Sequence, residues 1–247
     1  LLTLKTYRAT PENGKLWREL FASIKTLPNP MVIRLTLCKK CGFVFYRDVL
    51  DYNELKQLYV EEERYTGTKE HRTKPGRKWE LEKMLSFLEH NIDLKTMSTV
   101  IDLGAGDFDA TDLIAAQTPK ADFEALDPSY PKTKHNKITV HRTMLEEFKT
   151  QKQYQLVTAI HILEHVGDLK AFMKNVKALT QKNGLLYIEV PYQIGPGILF
   201  NRSVNSQHIN YYTPKSLTYL VEQFGFSVQA LEFDRQGYKN NGMPGMI

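Results

Sequence analysis

Residues 161–165 read His-Ile-Leu-Glu-His, two imidazoles and a carboxylate at metal-binding spacing. On one continuous helix His161 and His165 would share a face and hold zinc while Glu164 activated its water, which is peptidase chemistry. The run just before them, Tyr-Gln-Leu-Val-Thr-Ala-Ile, reads instead as a buried strand. His161 then falls at a strand end, the next helix begins only near Gly167, and peptidase activity is not expected. Glu164 and His165 keep two readings: packed, hydrogen-bonded structural residues, or a metal-assisted catalytic set completed by the distant His208. His161 suits cofactor contact better than catalysis.

A second stretch, Val-Ile-Asp-Leu-Gly-Ala-Gly-Asp-Phe-Asp-Ala-Thr-Asp-Leu-Ile from Val100 to Ile114, carries a nucleotide signature. A strand ends in Asp102, and Gly104 and Gly106 permit backbone angles and a close ligand approach that side chains would forbid. A second strand ends in Asp127, 127 − 102 = 25 residues later, where a carboxylate can accept hydrogen bonds from ribose hydroxyls. Pro128 follows it. The third glycine of a dinucleotide loop is absent, with Phe108 in that region, and Asp107 and Asp109 flank the start of the next helix. Two carboxylates there oppose a pyrophosphate, although either one alone could be a helix cap. A cationic sulfonium cofactor, S-adenosylmethionine, fits better than NAD.

The elements that must position these groups follow the rhythm of a parallel sheet with crossover helices. Helices are expected from about Trp79, over 111–117, over 168–179 closed by Gly184, and from Thr213 as N-cap with Pro214 at the first position to Gly225. Strands are expected over 98–103, 122–127, 137–141, 154–160, 184–191 and 226–233. The fold class is therefore α/β, a doubly wound and mainly parallel sheet, for residues 76–247. Residues 1–75 lack this rhythm and form a small N-terminal module, with a short amphipathic helix around Leu55, Leu58 and Tyr59.

Composition excludes several classes. In 247 residues, 42% hydrophobic and 25% charged content are those of a globular protein, so disorder is not expected. No apolar run approaches a membrane span and no secretion signal opens the chain, which points to a cytoplasmic protein without a membrane partner. The chain does not begin with Met, which suggests a trimmed chain and leaves partners upstream open. Lys and Arg exceed Asp and Glu by 33 − 28 = 5, and the densest basic cluster runs from Lys69 to Lys78. Without interleaved aromatics it suits a nucleoside diphosphate better than a long nucleic acid.

These motifs together, with Glu-Ala-Leu-Asp-Pro-Ser around Asp127, the segment 154–173 and Gly-Leu-Leu-Tyr-Ile-Glu-Val-Pro at 184–191, resemble class I S-adenosylmethionine-dependent methyltransferases of Rossmann-like fold over about residues 76–235. Leu-Cys-Lys-Lys-Cys-Gly at 37–42 and Gln-His-Ile-Asn-Tyr-Tyr-Thr at 207–213 resemble the zinc-ribbon-bearing branch that includes sugar methyltransferases. The resemblance implies S-adenosylmethionine as cofactor, held by Asp102, Gly104, Gly106, Asp127 and Pro128. Met144 and Leu145 after the third strand, and His161, complete that set. Met144 stands near a position where an acidic residue often meets the adenine. Cys38 and Cys41 would be half of a structural zinc site, for which this chain shows no second Cys pair; two ordinary reduced thiols are the alternative.

The long loop after the fifth strand, with Gly195, Pro196 and Gly197 as hinges, is expected to be a lid carrying His208. Where the family often has Glu before this His, the chain has Gln207, which cannot take a proton. O-methylation of a sugar or nucleotide-linked sugar, with His208 as general base, is then favoured over C-methylation. Glu164, His165 and Tyr212 would assist, or Tyr211 and Tyr212 would only pack and orient His208. Two rivals stay open: an RNA methyltransferase, and a non-catalytic cofactor-binding module suggested by Phe108 and Gln207.

Overall fold

The computed structural model describes residues 1–9, 31–48, 76–192, 208–233 and 245–246. The expected helix around Leu55, most of the basic cluster, the hinge glycines of the lid and Gln207 lie outside them.

Two sheets organise these residues. The larger has the order β11-β9-β8-β4-β5-β7-β6. Its strands are β4 (Thr99–Leu103), β5 (Asp122–Leu126), β6 (Lys134–His135), β7 (Ile138–His141), β8 (Tyr154–Ile160), β9 (Thr180–Pro191) and β11 (Gly245–Met246). The pairs β4·β5, β4·β8, β5·β7 and β8·β9 are parallel, while the short edges β6 and β11 run antiparallel. Strands covered on both faces must be apolar nearly throughout. Val100, Ile101, Leu156 and Val157 are accordingly fully buried.

The helices are α1 (Arg77–Asn91), α2 (Asp109–Gln117), α3 (Leu169–Leu179) and α4 (Pro214–Gln223). Met84, Leu88 and Ile114 from α1 and α2 join one apolar cluster, and Phe172, Met173 and Val176 from α3 join another. The start of α3 is set by Asp168, whose side chain accepts from the Ala171 amide at 2.9 Å. The start of α4 is a reciprocal cap. The Thr213 hydroxyl accepts from the Ser216 amide at 3.1 Å, and the Ser216 hydroxyl accepts from the Thr213 amide at 2.8 Å.

Strand order reverses between β4 and β8: β5 and β7 lie on one side, β9 on the other. At such a reversal the loops leave in opposite directions and open a crevice at the carboxyl ends of the strands. Both motifs singled out in the sequence, the glycine loop after β4 and His161–His165 after β8, sit there.

The smaller sheet has the order β1-β2-β3-β10, antiparallel throughout, from β1 (Leu2–Ala9), β2 (Met31–Leu37), β3 (Val44–Tyr46) and β10 (Asn210–Tyr211). Its last strand comes from beyond β9. The N-terminal strands are thus completed by residues that follow β9 in sequence, a long-range pairing without a local sequence signal.

Two expectations need correction. Helix α3 stops at Leu179 without help from Gly184, because Thr180 already turns extended and Gly184 lies inside β9. Residues 226–233, expected as a strand, form only an isolated bridge at Phe233, and the described edge of the sheet is β11. Among the described residues no helix is long and apolar enough to cross a membrane.

The segment 208–212 straps the two sheets together. The Asn210 amide group donates to the Leu163 carbonyl at 2.9 Å and to the Val166 carbonyl at 2.7 Å, the Tyr46 amide donates to the Ile209 carbonyl at 2.9 Å, and the Ile209 amide to the Glu164 carbonyl at 2.8 Å. Asn210→Ala is expected to destabilise the chain by about 1 to 3 kcal/mol in urea unfolding, since carbonyl partners are left behind. An effect below about 0.5 kcal/mol would show that the strap is not held in this way.

Candidate active site

The glycine loop is shaped by left-handed backbone. Gly104 has φ 73° and Gly106 φ 55°. A Cβ on Gly104 would stand 2.0 Å from Ile162 Cδ1, so this glycine lets the β8 loop pack onto the β4 loop. A Cβ on Gly106 would meet nothing nearer than the Gly104 carbonyl, at 4.0 Å, so the open face of the loop lies there. Phe108 answers the missing third glycine. It keeps a glycine-like φ of 66°, at a cost of about 1 to 3 kcal/mol for such a backbone, and caps α2. Its ring is fully buried against Tyr130 and His135, with centroids 4.4 and 4.2 Å away.

Asp102 lies beneath this loop. It is 2% exposed, and its two oxygens accept from the hydroxyls of Thr111 and Thr158, each at 2.5 Å. Burial pushes its pKa up to about 6 against the pull of those hydroxyls. The carboxylate expected to contact cofactor is therefore a brace that ties β4 to β8 and α2. Asp127, 5% exposed, ends β5. One oxygen accepts from the Gly106 amide at 2.8 Å, and the other from the amides of Ser129 and Tyr130 and the Ser129 hydroxyl. Pro128 is half-buried beside it, and Met144 and Leu145 follow β7 at the same end of the sheet, Met144 half-buried and Leu145 in the core.

Asp107 and Asp109 do not stand alone at the start of α2. Asp107 accepts from the Asp109 amide at 3.1 Å, and the Arg77 guanidinium lies 3.3 Å from Asp107 and 3.8 Å from Asp109. Arg77, noted in the sequence only as part of a basic cluster, thus balances both carboxylates.

Across the crevice, β8 ends at Ile160 and residues Leu163–His165 form one 3-10 turn. His161 and His165 share no continuous helix, which removes the peptidase arrangement. His161 has φ 54°, an unusual backbone for a residue with a side chain. Its Nδ1 lies 3.4 Å from Glu164 Oε1 and its Nε2 3.4 Å from Glu189 Oε1. Burial opposes charge on this ring, but the two carboxylates beside it outweigh that and raise its pKa to about 10. The Tyr187 hydroxyl donates to the other Glu189 oxygen at 2.8 Å. Glu189 was not foreseen, although a carboxylate inside the apolar run of β9 was the available signal.

Glu164 is 1% exposed, and neither carboxylate oxygen has a hydrogen-bond partner. Burial raises its pKa, but the histidines beside it, His161 foremost, more than offset this and keep it ionised. His165 Nε2 is 3.8 Å from Glu164 Oε1, and the His165 ring meets the His208 ring edge to face with centroids 4.9 Å apart. His208, 7% exposed, has its pKa pushed down to about 4 by burial and by His165. It is neutral near pH 7 but a weak proton acceptor, which weakens its expected role as a lone general base. Tyr212 is 1% exposed and donates to the Leu163 carbonyl at 3.2 Å; burial raises its pKa well above 10. It orients the turn and is not placed to move a proton.

Cys38 and Cys41 occupy the turn between β2 and β3, closed by the Gly42 amide donating to the Cys38 carbonyl at 2.9 Å. Backbone amides lower the Cys38 pKa, while burial raises that of Cys41. Among the described residues the cluster able to hold a metal is Glu164, His165 and His208, and no further ligand joins the two thiols.

Comparison with known proteins bears on family and fold. The family described as "Methyltransferase domain" matches residues 69–231, well over half of the chain. No curated protein matches. Among solved structures, the 1,6-didemethyltoxoflavin-N1-methyltransferase of Burkholderia thailandensis, with 1,6-didemethyltoxoflavin and S-adenosylhomocysteine bound, is 16% identical. It superposes with a TM-score of 0.58 over 87% of this chain and 92% of that one. A Galdieria sulphuraria protein provisionally described as a sarcosine dimethylglycine methyltransferase gives 16% and 0.51, over 62% of this chain and 63% of that one. The phosphoethanolamine N-methyltransferase 2 of Haemonchus contortus, with S-adenosyl-L-methionine, gives 14% and 0.53, over 64% and 40%. The chain thus spans less than two thirds of the length of the last two. At these identities the likeness is one of fold.

The low pKa of His208 fixes a sign for acid behaviour. Between its ordinary 6.5 and about 4 the unfolded chain takes a proton that the folded chain refuses, so stability falls with pH in that window. His208→Gln is expected to reduce the stability lost between pH 7 and pH 4.5 by about 1 to 3 kcal/mol. Urea unfolding of parent and variant at both pH values measures this, and equal losses would contradict the burial of a neutral imidazole.

Proposed function

The chain belongs to the methyltransferase-domain family, and we propose that it transfers a methyl group from S-adenosylmethionine to a hydroxyl oxygen of a small polar acceptor. A sugar or nucleotide-linked sugar is the favoured class. The observation that carries the reading is the pairing at the strand reversal of an open glycine loop, backed by Asp127, with the Glu164–His165–His208 cluster across the crevice. The open face at Gly106 and the carboxylate at the end of β5 suit an adenosyl ligand. Asp127 would take ribose hydroxyls, and Gly104 and Gly106 would allow close approach. Pro128 and Met144 would flank the base.

When bound, S-adenosylmethionine supplies a methyl group on a positively charged sulfur, and transfer leaves a neutral thioether, a methylated oxygen and a proton. The protein orients the acceptor and excludes water, and positioning of this kind supplies much of the rate. Ionised Glu164 favours a nearby cation and neutral His208 offers a lone pair. The sugar assignment is supported by the resemblance of the strap segment to sugar methyltransferases and by the net charge of +5. Phe108 weakens the non-catalytic reading, because its buried ring leaves the face of Gly106 open. Arg77, spent on Asp107 and Asp109, weakens the basic cluster on which an RNA acceptor would rest. Cys38 and Cys41 are read as half of a structural zinc set.

The direct test is calorimetry with S-adenosylmethionine, followed by transfer of labelled methyl to nucleotide sugars and, separately, to RNA. Asp127→Ala is expected to weaken cofactor binding by about 10- to 150-fold, the loss of about 1.5 to 3 kcal/mol of charge-assisted hydrogen bonding. Unchanged affinity in a folded variant would remove Asp127 from the cofactor site. His208→Ala is expected to leave cofactor affinity within a few-fold while turnover falls about 100- to 10,000-fold. Turnover within a few-fold of the parent would exclude His208 from the reaction.

A further inference from the structure

Glu164, His165 and His208 each offer one ligand atom, and these atoms all lie within 4.8 Å of one another. His161 stands 3.4 Å and His165 3.8 Å from Glu164 Oε1. Both carboxylate oxygens are buried and neither has a hydrogen-bond partner. A buried carboxylate without hydrogen-bond donors is a strong attractor for a cation. The three groups come from two segments, the turn Leu163–His165 and the strap, and these are locked by the Ile209 amide on the Glu164 carbonyl and by the two hydrogen bonds of Asn210. The donors are held before any ligand arrives.

We propose that Glu164, His165 and His208 bind one divalent transition-metal cation, which receives the acceptor hydroxyl. This deepens the methyltransferase reading and rests on it. Two imidazoles and one carboxylate suit manganese, iron, cobalt or zinc better than calcium or magnesium, and the absence of thiolate from the set leaves hard cations such as Mn2+ acceptable. Three protein donors leave coordination positions for acceptor oxygens or water, which marks a reactive site rather than a closed structural one. A hydroxyl on such a cation loses its proton to water more readily. The oxygen lone pair then forms the bond to the methyl carbon as the carbon–sulfur bond breaks, with its electron pair staying on sulfur. This also accounts for activation of the acceptor without a strong base, where His208 is buried and Gln207 replaces the Glu often found before it.

The test uses the full chain, stripped with a chelator and titrated with Mn2+ alone under electron paramagnetic resonance. One Mn2+ per chain is expected, and pulsed spectra should show nitrogen couplings from imidazole. H208Q and E164Q should each weaken binding by at least about tenfold, with folding checked by circular dichroism, whereas C38S/C41S should leave it unchanged. If E164Q does not fold, H208Q and the nitrogen couplings of the parent decide. No Mn2+ bound up to about 1 mM, bound Mn2+ without imidazole couplings, or undiminished binding in folded H208Q would overturn the site. Calorimetry with S-adenosylmethionine on the metal-free chain separates the two claims. Cofactor binding without Mn2+ binding overturns the cation site alone, and Mn2+ binding without cofactor binding supports the cation site while overturning the reading beneath it.

Discussion

A carboxylate that is 1% exposed, Glu164, is the constraint around which the crevice is built. Taking such a charge out of water costs several kcal/mol unless opposite charge and donors surround it. Three imidazoles surround it, of which His161 carries the opposite charge while His208 is neutral near pH 7. His161 bridges Glu164 to a second buried carboxylate, Glu189, and accepts a left-handed backbone to reach both. His165 follows in the same turn, and His208 comes from the strap. The strap is in turn fastened to the turn by Asn210, Ile209 and Tyr212. Because Asn210 and Tyr211 are also a strand of the small sheet, the N-terminal module is tied to the same carboxylate.

The crevice divides its labour at the strand reversal. The β5 side presents left-handed glycine backbone at Gly104 and Gly106 and the carboxylate of Asp127, and it contributes no imidazole to the cluster. The β8 side presents charged and imidazole groups fixed by the strap. Between them Asp102 joins β4, β8 and α2 through two hydroxyls, and Ile162 packs onto Gly104. A shift in the turn of the β8 loop would therefore be felt in the glycine loop through Ile162, which couples the two sides of the crevice by direct packing.

The main sheet was legible because parallel strands covered on both faces must be apolar: Val100–Leu103 and Tyr154–Ile160 announce themselves without any partner in view. Caps were legible for the same local reason, and Thr213 with Pro214 marks the start of α4. Long-range and conditional features were not. Nothing in Asn210–Tyr211 says that it pairs with Val44–Tyr46, and Gly184 has the look of a helix end although the helix has already closed at Thr180. The strand expected over 226–233 has the right alternation but only a bridge at Phe233. In the site, residue types and their clustering at one end of the sheet were readable, while their duties depended on burial. Asp102 lies beneath the loop, bound to the hydroxyls of Thr111 and Thr158, and enclosure pushes the pKa of His208 down. Glu189 was hidden inside an apolar run.

The central claim, that cofactor and acceptor meet across the crevice between the glycine loop and the Glu164 cluster, is tested most directly by a crystal structure of the chain with S-adenosylhomocysteine. The account predicts the ribose hydroxyls against Asp127 and the thioether sulfur facing the side of Glu164, His165 and His208. A ligand bound elsewhere, or one whose sulfur points away from that cluster, would contradict it.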